Sequence, residues 1–193
     1  MTRIIAGTAG GRRLRTPPGL ATRPTSDVAR EGLFASIGTL AGWAVLDLYA
    51  GSGAVGLEAL SRGAGDVVLV ESDRQAAAII RHNIASLGMS GAMLIVGPVE
   101  RVLRRGPGPL ARRRLVFADP PYAAPAAEVA AMLGALAGSG WLAQDALVVL
   151  ERDARSGPPP WSAQYAPGRS RRYGETVLWY GTVPAEPKDQ TGA

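Results

Sequence analysis

Cysteine is absent from this chain of 193 residues, and histidine occurs once, at His82. The missing thiols exclude disulfides, a thiolate nucleophile and a cysteine-ligated zinc site. One histidine does not make a metal site, so we expect no metal. Long apolar runs are also absent, so we expect no membrane-spanning helix. The first residues lack the apolar core of a signal peptide, and a cytoplasmic enzyme is the simplest interpretation.

Lysine is almost missing as well, because Lys188 is the only one and arginine carries the positive charge. The formal net charge is +5 at pH 7. The arginines are clustered in the first 30 residues, between residues 101 and 114, and in a third group near residue 170. Clustered positive charge indicates a phosphate backbone as a partner, although a solvated surface is the simpler alternative for any one cluster.

Apolar runs and turn residues predict an α/β fold. Two short runs, 3–6 and 12–15, predict an N-terminal hairpin, followed by a helix over about 26–38. Strands are then predicted at 44–48, 67–71, 92–96, 114–118 and 146–151, alternating with helices at 55–61, 74–87, 99–105 and 126–136. Two more strands, near 161–166 and 176–181, could form an antiparallel edge hairpin. This pattern predicts a mostly parallel seven-stranded sheet with helices on both faces.

The same reading divides the chain into three parts. Residues 1–22 are expected to be a hairpin extension, residues 23–183 one domain, and residues 184–193 a disordered tail. In such a domain a ligand binds beyond the carboxyl ends of the parallel strands. Both of the loops considered next follow predicted strands.

A glycine loop follows the first predicted strand. Residues 51–56 read Gly-Ser-Gly-Ala-Val-Gly, and Glu71 ends the next strand 20 residues after Gly51. This is the dinucleotide-binding pattern, which makes NAD a candidate. Asp47 lies just before the loop, where its carboxylate would repel a pyrophosphate and attract the ammonium of a methionine moiety. The charges therefore favour S-adenosylmethionine, with Glu71 accepting the ribose hydroxyls.

The turn after the fourth predicted strand carries Asp119, Pro120, Pro121 and Tyr122. The prolines stiffen it, and the backbone carbonyls of such a turn have few local donors. Asp119 adds a carboxylate acceptor, and Tyr122 can stack on a planar ring. This combination suits the exocyclic amino group of a nucleobase.

Together, residues 47–53 (Asp-Leu-Tyr-Ala-Gly-Ser-Gly) and residues 119–122 resemble the amino-group methyltransferases that use S-adenosylmethionine. The segments 23–34 and 173–178 are similar to one branch, the bacterial 16S ribosomal RNA guanine-N2 methyltransferases. The resemblance extends to about residue 182. It implies a Rossmann-like methyltransferase fold, 16S RNA of the small ribosomal subunit or an assembly intermediate as the partner, and a monomer.

The resemblance also implies site residues. Catalysis would fall to Asp119, Pro120 and Tyr122, which accept the amino hydrogens and stack on the base. The cofactor would be bound by Thr25, Asp47, Tyr49, Gly51, Ser52, Gly53, Glu71, Ser72, Val99 and Asp119. The RNA would be contacted by Arg12, Arg13, Arg15, Arg169, Arg171 and Arg172.

One segment departs from the family pattern. Pro98 stands where the family often has an acidic residue, and it supplies neither a carboxylate nor a backbone donor. The contacts to the adenine ring at Pro98 and Val99 therefore stay open, and so does a substitute role for Glu100. Three other functions also stay open. A DNA adenine methyltransferase shares both loops, a NAD-dependent oxidoreductase would use residues 51–56, and a non-catalytic RNA-binding module would keep only the fold.

Overall fold

The computed structural model describes residues 2–17, 26–121 and 124–184. Two of the predicted site residues, Thr25 and Tyr122, lie outside these ranges, as do residues 18–22 of the predicted extension and residues 185–193 of the predicted tail. No helix in the described part of the chain is long and apolar enough to cross a membrane.

Seven strands of the described chain form one sheet in the order β3-β2-β1-β4-β5-β7-β6. The strands are β1 Ala44–Leu48, β2 Asp66–Glu71, β3 Ala92–Val96, β4 Arg113–Ala118, β5 Leu142–Asp153, β6 Ala166–Tyr173 and β7 Thr176–Thr182. The first five strands run parallel, and β7 is antiparallel to both β5 and β6. The predicted mostly parallel seven-stranded sheet is confirmed.

The helices cover both faces of this sheet. They are α1 Asp27–Ile37, α2 Ala54–Ser61, α3 Arg74–Leu87, α4 Val99–Arg105 and α5 Ala126–Gly138, with a short 3-10 turn at Ala154–Ser156. Core residues of α1, α2 and α3 cluster on one face of the sheet, and those of α4 and α5 on the other. The helix limits follow local chemistry: the Asp73 carboxylate caps α3 by accepting from the Ala76 N–H at 2.7 Å, and Gly88 ends it at a positive φ.

The prediction of a strand at 161–166 is wrong. The Trp161 and Tyr165 rings in that stretch pack against the α4–α5 face from a loop. The sixth strand is β6, which is arginine-rich and exposed along nearly its whole length. An edge strand that contacts only one neighbour buries little apolar surface, so its sequence shows no apolar alternation. β5 also begins four residues earlier than predicted, at Leu142.

The predicted hairpin at 3–6 and 12–15 does not form two regular strands. Residues 2–17, here called the N-terminal segment, fold back across the turn with one antiparallel bridge between Arg3 and Arg13. Backbone hydrogen bonds also cross the turn, from Ile4 N–H to the Arg12 carbonyl and from Leu14 N–H to the Thr2 carbonyl, both at 2.9 Å. Ile4 and Leu14 are buried in the same core as α1, α2 and α3. The described part of the extension is thus packed into the body of the fold.

Candidate functional site

Four acidic side chains gather where the parallel strands end, at what we call the carboxyl edge of the sheet. One row of paired residues crosses β2, β1, β4 and β5 near their carboxyl ends. The residue that follows this row is Glu71 on β2, Asp119 after β4 and Glu151 on β5. Asp47 lies two residues further back, on β1. Because side chains alternate across a strand, all four share the face covered by α1, α2 and α3. The register therefore concentrates negative charge beside the glycine loop.

Asp47 is fully buried behind the glycine loop. Its Oδ2 accepts a hydrogen bond from the Gly56 backbone N–H at 2.8 Å, which ties β1 to the start of α2. Burial raises the pKa of the Asp47 carboxyl to about 7, the Gly56 hydrogen bond lowers it, and the charge of Glu71 raises it further. A Cβ on residue 56 would lie 3.0 Å from the same Oδ2, so the close approach needs glycine there.

Glu71 contacts the other side of the glycine loop. Its Oε2 accepts from the Gly51 N–H at 2.7 Å, and its Oε1 accepts from the Asp73 N–H at 2.8 Å. These two bonds fix the plane of the carboxylate, and each oxygen retains a lone pair for a ligand hydroxyl. Ser72 follows Glu71 and is exposed. The predicted cofactor residues Gly51 and Gly53 both have positive φ, the conformation that favours glycine in a tight turn.

Tyr49 leaves β1 in an unusual backbone conformation, with φ of 60°. A left-handed tyrosine is uncommon, and such strain concentrates at functional sites. The conformation directs the ring toward the α4–α5 face, where its hydroxyl donates to Glu100 Oε1 at 3.4 Å. Burial, and then the charge of Glu100, raises the pKa of the Tyr49 hydroxyl. Val99 is buried in the core beneath, so it is Glu100 that faces this end of the site.

Asp119 begins the turn after β4, and its backbone N–H points to the Leu48 carbonyl at 3.4 Å. Burial raises the pKa of its carboxyl well above the usual value, and the nearby charges of Glu151 and Asp47 raise it further. Pro120 is half-buried beside it, and the Pro121 carbonyl accepts from Ala124 N–H at 2.7 Å. This turn lies next to the glycine loop, because β4 pairs directly with β1.

Two buried residues beside the site are not among the predicted site residues. Glu151 lies on β5 next to Asp119, and its Oε1 is 3.4 Å from the Thr176 hydroxyl. A carboxylate at the end of a parallel strand was the signal for it in the sequence. Asn83 is buried on α3 and donates to the Ser52 carbonyl at 2.9 Å. Its signal was a polar residue on the apolar face of an amphipathic helix.

The six predicted RNA-contacting arginines differ in how free their side chains are. Arg13 and Arg171 are exposed at the surface. Arg12 donates from its guanidinium to the carbonyls of Ser86 and Leu87 at the end of α3. Arg15, Arg169 and Arg172 are also exposed, and each has a local contact. The Arg15 backbone is hydrogen-bonded to the Asn83 side chain. The Arg169 guanidinium donates to the Ser36 carbonyl and lies over the Tyr180 ring, and the Arg172 guanidinium donates to the Gly174 carbonyl.

In the described ranges no cluster of three or more histidine, cysteine, aspartate or glutamate side chains has the arrangement of a metal site. Two of the acidic side chains at the carboxyl edge, Asp47 and Glu71, instead accept hydrogen bonds from backbone N–H groups of the glycine loop. This arrangement suits an organic ligand with a ribose and a positive group.

The sheet order, the antiparallel β7 and the two loops at the carboxyl edge define the Rossmann-like fold of the methyltransferases. The solved structure of yhhF from Escherichia coli superposes with a TM-score of 0.83 at 34% identity, covering 96% of this chain and 99% of that one. The solved structure of a Thermus thermophilus protein superposes with a TM-score of 0.76 at 33% identity, covering 96% and 100%. TrmN from Thermus thermophilus shares the fold alone, at 19% identity and a TM-score of 0.66.

The chain belongs to the family described as "Conserved hypothetical protein 95", which matches residues 2–182. It is 35% identical over 176 residues to ribosomal RNA small subunit methyltransferase D of Escherichia coli K12, covering 91% of this chain and 86% of that protein. The protein of the same name from Haemophilus influenzae is 33% identical over 160 residues, covering 78% of each chain.

Proposed function

We propose that this protein transfers a methyl group from S-adenosylmethionine to the N2 amino group of a guanine in 16S ribosomal RNA. The observation that carries the proposal is the meeting of the glycine loop and the Asp119 turn on one carboxyl edge. That edge belongs to a chain 35% identical to a ribosomal RNA small subunit methyltransferase. We also propose that the protein acts as a monomer in the cytoplasm, and that its substrate is the small ribosomal subunit or its precursor.

The residues around the glycine loop fit S-adenosylmethionine better than a dinucleotide. When bound, this cofactor supplies an electrophilic methyl group on a positively charged sulfur. Glu71 is fixed by two backbone donors in a position to accept ribose hydroxyls. Asp47, Asp119 and Glu151 line the same edge, where a bound sulfonium and ammonium would favour the ionised forms of the buried carboxyl groups and a pyrophosphate would disfavour them. Tyr49 and Glu100 would line the part of the site that holds the adenine of the cofactor.

At the acceptor end, Asp119 and the Pro120 carbonyl would each accept one hydrogen of the guanine amino group. The lone pair of that nitrogen is delocalised into the ring, so orienting it toward the methyl group is the main task of the site. An ionised Asp119 also stabilises the positive charge that develops on nitrogen during transfer. Tyr122 would stack on the unpaired base.

The position of the arginines supports an RNA partner. Glu151 pairs with Leu178 of β7, and Leu178 pairs with Arg171 of β6, at the same level of the sheet as Asp119. With strands about 4.8 Å apart, Arg171 begins on the order of 14 Å from Asp119. An RNA strand whose target base lies at Asp119 could therefore reach Arg171 with a neighbouring phosphate.

The proposed function is tested by transfer of labelled methyl from S-adenosylmethionine to three substrates. These are 16S RNA transcript, small subunits that lack the modification, and duplex DNA. We expect label as N2-methylguanine in the RNA or the subunits, and none with Asp119→Ala. Label that appears in DNA as methyladenine would overturn the proposal and support a DNA adenine methyltransferase instead.

The RNA surface is tested by removing two exposed arginines, Arg13 and Arg171, by substitution with alanine. Each phosphate contact contributes one step to the salt dependence of binding, so the slope of log affinity against log salt should become shallower by about 1 to 2. Affinity for 16S transcript is measured by filter binding from 50 to 200 mM salt, a range of about a factor of four over which such contacts weaken strongly. The matched control replaces Arg104 and Arg105 on α4, across the sheet. An equal loss in the control would assign the effect to net charge.

A further inference from the structure

The Asn83 side chain connects two segments that are far apart in sequence. Its Oδ1 accepts from the Arg15 backbone N–H at 2.9 Å, and its Nδ2 donates to the Arg15 carbonyl at 3.0 Å. The second Nδ2 hydrogen goes to the Ser52 carbonyl at 2.9 Å. The residue is 1% exposed. Both amide donors are thus used, one on the N-terminal segment and one on the glycine loop.

The two connected segments contribute to different proposed sites. Ser52 lies in the glycine loop, whose Gly51 N–H is bound by Glu71 on the opposite side. Arg15 lies in the N-terminal segment close to the exposed Arg13, and the Arg12 guanidinium fastens that segment to the end of α3. Helix α3 therefore carries the glycine loop and the arginine-bearing segment together, with Asn83 at the point where both meet.

Loss of the Asn83 amide would affect both segments. The Ser52 carbonyl would lose its donor in a buried position, and a buried group without a partner is costly, so the loop would change conformation to recover one. The Arg15 backbone would lose its N–H acceptor and its carbonyl donor in the same step. A fully satisfied buried amide of this kind selects one arrangement of the groups around it.

We propose that Asn83 is a positioning residue that fixes the cofactor loop to the N-terminal segment and so couples the cofactor site to the surface that contacts RNA. The coupling to RNA rests on the proposed function; the effect on the cofactor loop does not. Because coupling between binding sites is reciprocal, RNA bound at the segment tightens S-adenosylmethionine binding, and the cofactor tightens RNA binding by the same factor.

The first experiment measures S-adenosylmethionine affinity of the full chain by calorimetry without RNA. Asn83→Ala should raise Kd about tenfold, the factor that corresponds to the loss of one buried hydrogen bond. Ser61→Ala is the matched control. The Ser61 hydroxyl is also buried and bonds the same segment, accepting from Ala9 N–H at 2.9 Å and donating to the Ala6 carbonyl at 2.6 Å, but it does not contact the glycine loop.

Ser61→Ala should therefore leave Kd within about twofold of the parent value, even if it lowers the melting temperature as much as Asn83→Ala does. Unchanged Kd in Asn83→Ala would overturn the proposal, as would an equal rise in both variants, because the effect would then follow stability. Asn83→Asp keeps the acceptor for Arg15 N–H and removes both donors, so it should resemble Asn83→Ala.

The second experiment titrates S-adenosylhomocysteine, the cofactor without its transferable methyl group, with and without saturating 16S transcript, so that no methyl transfer occurs during the measurement. RNA should lower Kd for this ligand in the parent protein about fivefold, within the usual range of coupling between sites, and should have little effect in Asn83→Ala. Coupling that persists in the variant would overturn the role of Asn83 in it. A parent protein that binds the cofactor but neither 16S transcript nor small subunits that lack the modification would refute the proposed function, and the RNA-free titrations would still decide the role at the loop.

Discussion

Replacing Asp119 with alanine is expected to lower kcat for methyl transfer by about 10²- to 10³-fold, the usual effect of removing one group that stabilises developing charge. The affinity for S-adenosylmethionine should fall by less than about tenfold, because Glu71 and the glycine loop keep their contacts. The amino group would lose the acceptor that orients its lone pair. Single-turnover transfer to RNA and calorimetry of the cofactor measure the two quantities separately.

The pH dependence of the same step is a second readout of Asp119. Its pKa is raised by burial and by the charges of Glu151 and Asp47, so the ionised form is lost on acidification at a higher pH than for an exposed aspartate. Transfer by the parent protein should therefore fall as pH decreases toward this raised pKa. Glu151→Gln removes one of the negative charges, which lowers the Asp119 pKa and moves the acidic limb to lower pH.

Asp119→Asn is the control for this behaviour. Its amide oxygen can still accept one amino hydrogen bond, but the residue does not titrate, so the acidic limb due to Asp119 should be missing. If Asp119→Ala retains more than about a tenth of the parent kcat, Asp119 does not orient the amino group. If Glu151→Gln leaves the pH profile of methyl transfer unchanged, the charge of Glu151 does not influence the pKa of Asp119.

Replacing Glu58 with alanine is expected to lower the free energy of unfolding by about 3 to 5 kcal/mol, the cost of breaking a buried charge pair. Glu58 is fully buried on α2 and accepts from the backbone N–H groups of Ile5 and Ala6 at 2.6 and 3.0 Å. It also accepts from Arg62 Nε at 2.6 Å and lies 3.8 Å from Nε of the buried Arg30. Its removal leaves buried donors and a guanidinium with fewer acceptors.

Urea unfolding followed by circular dichroism measures this loss. Arg62→Ala removes the partly exposed partner of the same carboxylate and should cost less than Glu58→Ala, because Glu58 keeps the Ile5 and Ala6 N–H donors. Glu58→Gln should lie between the two, because its amide oxygen can still accept one backbone N–H. A Glu58→Ala protein as stable as Arg62→Ala would show that the N-terminal segment is not held by this carboxylate.

The role of Glu58 also shows a limit of sequence interpretation. A glutamate in a helix is usually exposed, and nothing near residue 58 in sequence indicates the Ile5 and Ala6 amides that it meets. The sequence accordingly predicts an extension over residues 1–22. The described part of that stretch is instead packed with α1, α2 and α3, because Ile4 and Leu14 fill the core between them.

Local chemistry was enough to predict most elements. Apolar runs and capping residues located β1 to β4, and α3 and α4 have the predicted bounds, because these signals act within a few residues. The prediction of a strand at 161–166 was wrong because the sixth strand depends on a distant partner and not on local signals. β6 exists through its pairing with β7, and its own arginine-rich sequence carries no strand pattern.

Local sequence patterns are enough to predict the alternating strands and helices, the glycine loop, and the placement of Asp47, Glu71 and Asp119 near strand ends. The folded chain was needed to show that Glu151 lies beside Asp119, that Asn83 joins Ser52 to Arg15, and that the Arg12 guanidinium caps α3. These groups are far apart along the chain. Spacing and propensity fix contacts within one element, whereas strand register and the packing of distant segments decide which buried polar groups meet.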